Sequence, residues 1–188
     1  MNVVELRRYT LQPGARETLV ELFDREFVES QEALGMWILG TFRDLDDPDQ
    51  FVWLRGFDDL QGRAPALEAF YTGPVWAEHA AAANATMIDS DNVLLLRPAD
   101  EGPPLGHDPA ARPPAGAPER EGTLWVTISP DAVPGDALAR FVTLHVRNDF
   151  PALPVREDVD VAVALWTSEP PPAVETLRLR PTPRSLLP

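Results

Sequence analysis

Five polar and aromatic side chains in the first half of the sequence could bind a small molecule and move a proton on it. Trp53 and Arg55 are two residues apart in a run of aromatic and β-branched residues, so both should lie on one face of a strand. Trp76 and His79 are three apart in a helical segment and should share a helix face, with Tyr71 just before that segment. The three aromatic rings could stack on a flat ligand. Arg55 would then bind a carboxylate or enolate, and His79 would act as acid or base.

Each of these side chains also has a structural interpretation, which the sequence leaves open. Tryptophans in strands and helices commonly serve as core residues. Arg55 could form an ion pair with the acidic turn at residues 44–49, and His79 could be a hydrogen-bonded histidine at a helix edge. The five residues are therefore candidates, four of them for ligand binding and His79 for catalysis.

The motifs of the common cofactors and metal sites are absent from the sequence. It has no cysteine, and its three histidines, His79, His107 and His145, lack the spacing of a helical metal site. It also has no lysine, which excludes a Schiff-base lysine and a P-loop. Serine nucleophile elbows and dinucleotide fingerprints are missing as well. We expect no metal ion and no cofactor, because a lone histidine is a weak basis even for haem ligation.

Charge and hydropathy exclude two classes of partner. Thirty acidic and sixteen basic residues give a formal net charge of −14, which repels both phosphate backbones and anionic lipid head groups. No apolar run approaches the length of a membrane span, and the sequence starts directly with strand-like alternation instead of a signal-like segment. We expect no nucleic-acid partner, no membrane association and a cytoplasmic protein.

The candidate residues must be positioned by the elements of residues 1–98, whose patterns predict the order βαββαβ. Strand-like runs occupy residues 3–9, 36–42, 51–57 and 93–97. Pro13-Gly14 opens the first predicted helix, and Asp58 and Asp59 are suitable caps for a second helical region. That second region should be interrupted at Pro65 and again at Gly73-Pro74.

A Pro-rich segment at residues 99–121 is predicted to be a linker, because proline fits neither a helix interior nor a central strand. Beyond it, residues 122–181 read as βαββ. The predicted elements are strands at 123–128, 159–166 and 174–179 and a helix at 134–146, which would bury Leu138, Phe141, Val142 and His145. Residues 182–188 are expected to form a tail.

The predicted fold class is α+β, as a tandem of a ferredoxin-like unit and a degenerate ferredoxin-like half. The runs Met36–Leu39 and Phe51–Leu54 are apolar on both faces, whereas a sheet with one wet face should alternate. Something must cover the second face of the first sheet. We expect the two sheets to pack face to face as in a dimeric α/β-barrel, by an intrachain pseudo-dimer; a homodimer is the alternative.

Five segments carry a family resemblance that covers roughly residues 1–98. They are Glu32–Met36, Gly40–Pro48, Phe51–Phe57, Phe70–Tyr71 and Trp76–His79, and together they resemble NIPSNAP-type sequences. The resemblance implies a dimeric α/β-barrel fold. It implies little about activity, since the wider barrel superfamily includes cofactor-free oxygenases, haem-handling proteins, isomerases and plain dimers.

Two functional hypotheses follow from these patterns. In the first, the protein binds a small aromatic or anionic ligand and acts as a cofactor-independent oxygenase or isomerase. In the second, it is a non-catalytic binding or assembly module, in which the barrel serves to pair sheets and the acidic surface keeps it dissolved or recruits a basic partner. A cavity of a few hundred Å³ would favour the first hypothesis, and an inter-sheet space filled by Trp37, Trp53 and Trp166 would favour the second.

Overall fold

Residues 1–99 and 105–188 are described by a computed structural model, in which the first half alternates strands and helices as its pattern predicts. Its strands are β1 (Val3–Leu11), β2 (Trp37–Asp44), β3 (Gln50–Phe57) and β4 (Met87–Pro98). Its helices are α1 (Arg16–Leu22), α2 (Val28–Glu32), α3 (Leu60–Tyr71) and α4 (Pro74–Ala85), with a π-helical turn (Phe23–Phe27) joining α1 to α2. The predicted βαββαβ order of residues 1–98 is confirmed.

Helix α3 differs from the prediction at one proline. Asp59 caps it by accepting a hydrogen bond from the Gly62 N–H at 2.8 Å, as expected, but the helix continues through Pro65. Pro65 is exposed, so the carbonyl that loses its helical partner there can be hydrated by solvent. The interruption predicted at Gly73-Pro74 is present, because Pro74 occupies the first turn of α4.

The second half contains strands and no α-helix within the described residues, so the predicted βαββ order is wrong. Its strands are β5 (Leu124–Ser129), β6 (Ala139–Thr143), β7 (Ala162–Trp166) and β8 (Glu175–Pro181). The predicted helix at 134–146 is replaced by a loop and β6. Within β6, Ala139, Phe141 and Thr143 are buried and alternate with half-buried residues, which is the period of a strand.

All eight strands form one closed antiparallel barrel in the order β1-β3-β2-β8-β5-β7-β6-β4. The strands of the first half stand together as β4-β1-β3-β2, followed by those of the second half as β8-β5-β7-β6. Two short ladders join the halves. In one, Phe42 of β2 lies opposite Pro181 of β8, and in the other Arg97 of β4 lies opposite Val142 of β6. The second face of the first sheet is therefore covered by strands of the same chain.

The two faces of the first sheet belong to two separate cores. Residues that point into the barrel pack against residues of the second half, and this interior is filled mainly by aliphatic side chains with Phe42 and Phe141. Residues on the other face pack against the helices in an aromatic-rich core that includes Trp53. Trp166 lies in a third, small cluster with Val133 and Ala164. This division explains why the runs in β2 and β3 are apolar on both sides.

Three non-regular segments pack closely on this frame. Leu105 is buried, and His107 stacks on Trp37 with ring centroids 4.9 Å apart, within the predicted linker. The C-terminal residues 182–188 contribute buried side chains, Thr182 among them. Residues 144–158, which we call the strap, run from β6 across the edge of β4, where the Leu144 N–H donates to the Leu95 carbonyl at 2.8 Å. Among the described residues, no helix has both the length and the apolarity to span a bilayer.

Candidate functional site

An ionic cluster is buried on the helix-facing side of the first sheet. Glu5 and Arg7 of β1, Arg55 of β3 and Arg63 of α3 are each at most 1% exposed. Glu5 and Arg55 are cross-strand partners, and Arg55 Nη2 lies 2.6 Å from Glu5 Oε2. The same carboxylate accepts from Arg7 Nη1 at 2.8 Å and, through Oε1, from Arg63 Nε at 2.8 Å. One carboxylate thus serves three guanidinium groups.

The three arginines determine the ionisation of the carboxylate. Burial alone would raise the pKa of Glu5, but attraction to Arg55, Arg7 and Arg63 outweighs it and holds that pKa well below its usual range. Burial would likewise lower the pKa of Arg7, yet its interactions with Tyr9 and Glu5 raise it. Glu5 and Arg7 are therefore charged, and the cluster holds three guanidinium groups against one carboxylate.

A small aromatic cavity of about 30 Å³ adjoins this cluster, between the first sheet and the helices. Its walls include Tyr9, Phe27, Gln31, Trp53, Tyr71 and Trp76. The rings meet mostly edge to face, as for Tyr9 and Trp53, whose centroids are 5.9 Å apart, and for Tyr71 and Trp76 at 4.8 Å. The space suits one or two water-sized groups with the side chains as they stand.

The cavity touches the cluster through Arg7, Tyr9 and Trp53. Arg7 Nε donates to the Tyr9 hydroxyl at 3.0 Å, and the Arg7 guanidinium carbon lies 5.4 Å from the centre of the Trp53 ring. The Trp53 indole N–H is buried and has no hydrogen-bond partner in the described part of the chain. Burial, only partly offset by Arg7, raises the pKa of Tyr9, so that side chain remains a neutral phenol.

The strap brings the second half of the chain to the same site. Phe150 stacks on Tyr71 with ring centroids 6.3 Å apart. Asn148 accepts a hydrogen bond from Arg63 Nη1 at 3.2 Å, and Asp149 pairs with the same nitrogen. The sheet and the helices therefore form the cavity walls, and the strap packs against Tyr71 and Arg63.

The sequence decides the family to which this fold and site belong. Residues 4–103 match the family model described as NIPSNAP. The chain belongs to the NIPSNAP family. The match ends shortly after β4, so it covers the sheet and helices that build the cavity and excludes the second half of the barrel.

Solved structures of other NIPSNAP proteins are similar to this one. A NIPSNAP-like domain protein from Burkholderia xenovorans is 27% identical, with a TM-score of 0.50, over 56% of this chain and 91% of that chain. A NIPSNAP family protein from Agrobacterium tumefaciens is 21% identical, with a TM-score of 0.50, over 55% of this chain and 98% of that chain. Both are thus matched almost completely by little more than half of the present chain. A comparison with curated proteins gave no match.

In this NIPSNAP protein the five predicted site residues occupy three different environments. Trp53, Tyr71 and Trp76 line the cavity together. Arg55 lies next to it, with its guanidinium carbon 5.0 Å from the centre of the Trp53 ring, and it pairs with Glu5 and not with the acidic turn at 44–49. His79 does not line the cavity. Its Nε2 lies 3.5 Å from Glu26 Oε2, and its ring centroid is 6.3 Å from that of Phe27, which lines the cavity.

Sequence reasoning missed Glu5, Arg7, Tyr9 and Arg63. Glu5, Arg7 and Tyr9 alternate along β1 with the interior-facing Val4 and Leu6, a pattern that normally indicates a solvent-facing strand side. The helices cover that side in the protein, so the polar residues are buried. The alternation of Glu5, Arg7 and Tyr9 was the one signal in the sequence for this cluster. It indicates a buried cluster only when Arg63 of α3 is known to pair with Glu5. Among the described residues, no group of three or more His, Asp or Glu side chains could hold a metal ion.

A second titratable group is buried away from the cavity, in the π-helical turn. Asp24 is 8% exposed and lines a groove of about 390 Å³ that is also bordered by Arg43 and Gly116. Burial raises the pKa of Asp24 to about 6, although Arg184 lies close enough to oppose the shift. The Thr182 hydroxyl donates to its carboxylate at 3.4 Å.

Replacing Asp24 by asparagine should stabilise the protein at neutral pH only. Because the folded-state pKa is raised, the favourable contribution of the protonated carboxyl is fully present below about pH 4 and is lost as the pH rises through 6. We expect Asp24→Asn to increase the free energy of unfolding by about 2 kcal/mol at pH 7.5 and by much less at pH 4.5. Urea unfolding at both pH values measures this difference. The control Glu21→Gln, at an exposed position of α1, should change the free energy of unfolding by less than about 0.5 kcal/mol at either pH. An equal effect of Asp24→Asn at both pH values would contradict the raised pKa of Asp24.

Proposed function

We propose that this protein binds a small, flat, partly anionic molecule between its first sheet and helices α3 and α4. The observation that carries the proposal is an aromatic cavity walled by Tyr9, Trp53, Tyr71 and Trp76 beside a buried excess of positive charge. Aromatic walls favour a planar ligand, and the arginines favour one that carries negative charge. Since the closed cavity is small, the half-buried rings of Trp76 and Tyr71 must move outward to admit the ligand, and Trp76 then stacks on it.

The reaction class that suits such a site is cofactor-independent oxygenation or isomerisation of an enolisable ring. The arginine cluster would stabilise an enolate, and a nearby acid or base would move the proton. His79 can take this role only for a ligand that extends past Phe27 toward α4. We propose binding as the function of the site and this chemistry as its extension.

The domain organisation we propose assigns the site to the first of two units. Residues 1–98 form the NIPSNAP-like unit, 99–121 the linker, 122–181 a second unit and 182–188 the tail. The strand order β8-β5-β7-β6 repeats that of β4-β1-β3-β2, which supports reading the second unit as a ferredoxin-like sheet without helices. The chain would then be an intrachain pseudo-dimer that works in the cytoplasm.

A non-catalytic module is the competing function, and one observation favours it. The barrel interior is filled by side chains from both halves, and the space under the helices is only about 30 Å³. In this case the second sheet serves to cover the first, and the aromatic residues around Trp53 serve as a core.

Native mass spectrometry of the purified full chain separates the two functions. If the site binds a ligand, the intact protein should carry a small-molecule mass, or acquire one from a panel of aromatic carboxylic acids, and Trp76→Ala should reduce the occupancy at least tenfold. The matched control is Trp125→Ala, a half-buried tryptophan on the second sheet, which should keep the wild-type occupancy. A bare chain with every panel member, or equal losses in both variants, would refute the binding function. The same spectrum gives the oligomeric state.

A further inference from the structure

One corner of the cavity is lined by Tyr9 and Trp53, which Arg7 contacts, and hydrogen-bond donors at this corner have no partner. Trp53 is 2% exposed, and its buried indole N–H has no acceptor among the described residues. A buried donor without a partner costs about 1 to 3 kcal/mol. The Tyr9 hydroxyl accepts from Arg7 Nε at 3.0 Å, and its own proton has no acceptor in the described part of the chain.

The arginine nitrogens differ in their availability. Arg55 uses Nε and Nη2 on Glu5 and Nη1 on Gln31, at 2.6 to 3.0 Å. Arg63 uses Nε on Glu5 and Nη1 on the strap, and its buried Nη2 lies 2.7 Å from Glu5 Oε1 without forming a hydrogen bond. Arg7 uses Nε on Tyr9 and Nη1 on Glu5, and within residues 1–99 and 105–188 its Nη2 has no hydrogen bond. Among the described residues, Nη2 of Arg7 and Nη2 of Arg63 are thus the guanidinium nitrogens of the cluster without a hydrogen bond. Of these two arginines it is Arg7 that contacts Tyr9 and Trp53.

The charge balance of the cluster also favours a negatively charged ligand. Three guanidinium groups are buried with one fully buried carboxylate, Glu5, and with Asp149, whose side chain is 24% exposed. Two carboxylates leave one positive charge uncompensated. A ligand oxygen that carries negative charge would restore neutrality in a place where water access is restricted.

The three groups also lie within reach of one small ligand. The guanidinium carbon of Arg7 is 5.5 Å from the centre of the Tyr9 ring and 5.4 Å from that of the Trp53 ring. The two rings both line the cavity and are in edge contact at 5.9 Å between centroids. Of the other wall residues, Phe23, Phe27 and Phe70 are apolar, and the amide of Gln31 is already bonded to the Phe27 carbonyl and to Arg55. The hydroxyl of the half-buried Tyr71 is a further polar group of the walls.

We propose that Arg7, Tyr9 and Trp53 form an oxyanion subsite that binds the carboxylate or enolate oxygen of the ligand. This inference rests on the proposed function and assigns anion binding to Arg7 in place of Arg55. The Tyr9 phenol and the Trp53 indole each donate a hydrogen bond to the oxygen, and Arg7 supplies the charge. Tyr9 and Trp53 are then specificity-determining residues for negatively charged ligands.

The test uses formate as the probe, because it fits a cavity of two water-sized groups, and formamide as its uncharged counterpart of similar shape. The indole signals of the full-length protein are followed in ¹H–¹⁵N spectra at constant ionic strength, with sodium chloride as the reference salt. Trp53→Phe identifies the Trp53 signal. We expect formate to shift that signal saturably and formamide to bind at least tenfold more weakly, while the Trp125 signal stays in place.

A variant and a control test the Tyr9 donor without removing its ring. Tyr9→Phe should raise the dissociation constant for formate about tenfold, because a hydrogen bond to a charged group is lost. Trp125→Phe changes an aromatic residue of the second sheet that does not line the cavity, and it should alter the constant less than twofold. Thermal unfolding of both variants verifies that they are folded.

The subsite is refuted if formate does not shift the Trp53 signal saturably, if formamide binds as well as formate, or if Tyr9→Phe leaves the constant unchanged. These results differ from a failure of the proposed function. A ligand retained in native mass spectra and lost in Trp76→Ala, with no formate binding, would leave the binding function intact and remove the oxyanion subsite alone. Saturable formate binding that needs Tyr9 would support both.

Discussion

Replacing Glu5 by glutamine should lower the free energy of unfolding by about 3 to 5 kcal/mol at pH 7. Glu5 is fully buried and is the carboxylate on which Arg7, Arg55 and Arg63 converge. A glutamine has nearly the same shape, but it leaves three buried cations without their anion. Urea unfolding followed by tryptophan fluorescence measures the loss.

The pH dependence of this loss follows from the lowered pKa of Glu5. The contribution of the ionised carboxylate is present above the unfolded-state pKa, about 4, and is lost as the pH falls toward the folded-state value. The gap between wild type and Glu5→Gln should therefore narrow below pH 4. Glu175→Gln is the control, because Glu175 pairs with Arg8 at 2.7 Å with 44% of its side chain exposed. That control should cost less than about 1 kcal/mol, and a similarly small cost for Glu5→Gln would disprove the role of the cluster.

Removal of residues 182–188 should lower the melting temperature by about 10 °C or more. Thr182 and Ser185 are fully buried, Leu187 is 6% exposed, and the Thr41 and Thr182 hydroxyls are 2.6 Å apart. Burial of a leucine contributes about 1.5 to 3 kcal/mol, and the loss of buried hydrogen bonds adds to it. For a chain of this size each kcal/mol corresponds to roughly 2 to 4 °C.

The truncation also removes partners of other segments. Arg184 pairs with Glu29 of α2, and the Arg184 carbonyl accepts from Arg112 Nη1 at 2.6 Å. Differential scanning calorimetry of the chain ending at Pro181 measures the combined effect. Deletion of the exposed Pro188 alone should shift the melting temperature by less than about 2 °C. Equal melting temperatures for wild type and the longer truncation would show that the tail does not stabilise the barrel.

The elements of the first half could be predicted because two independent signals agree there. In β3 the run from Phe51 to Phe57 combines high strand propensity with a clear turn on its N-terminal side. The prediction of a helix at 134–146 was wrong because the apolar residues there fit both the helical period and the strand period. Phe141 is compatible with helical spacing to Leu138 and with strand spacing to Ala139, and a short apolar run does not distinguish them. Pairing of β6 with β4 and β7 decided the outcome.

The candidate site was predictable only in part. Trp53, Tyr71 and Trp76 line one cavity, since strand and helix periodicity places them on facing surfaces, and their role in ligand binding stays a prediction. The charged members of the site were not found, because a charged residue in a strand usually faces water. The burial of the charged Glu5 is stable only because Arg55 of β3 and Arg63 of α3 pair with it. The strap was also missed, because a loop with Pro151 and Pro154 has no periodicity that would indicate what it covers.

Closure of the barrel within one chain has a consequence for the order in which the protein folds. Strands β1 to β4 can pair as soon as residues 3–98 have been synthesised. The pairing of β2 with β8 is long-range, and next to it the hydroxyls of Thr41 and Thr182, 141 residues apart, form a hydrogen bond. Long-range pairings of this kind form slowly. During translation the apolar inner face of the first sheet is therefore complete well before the strands that bury it leave the ribosome. The chain is therefore most prone to aggregation, and most dependent on chaperones, during this interval and not once the barrel has closed.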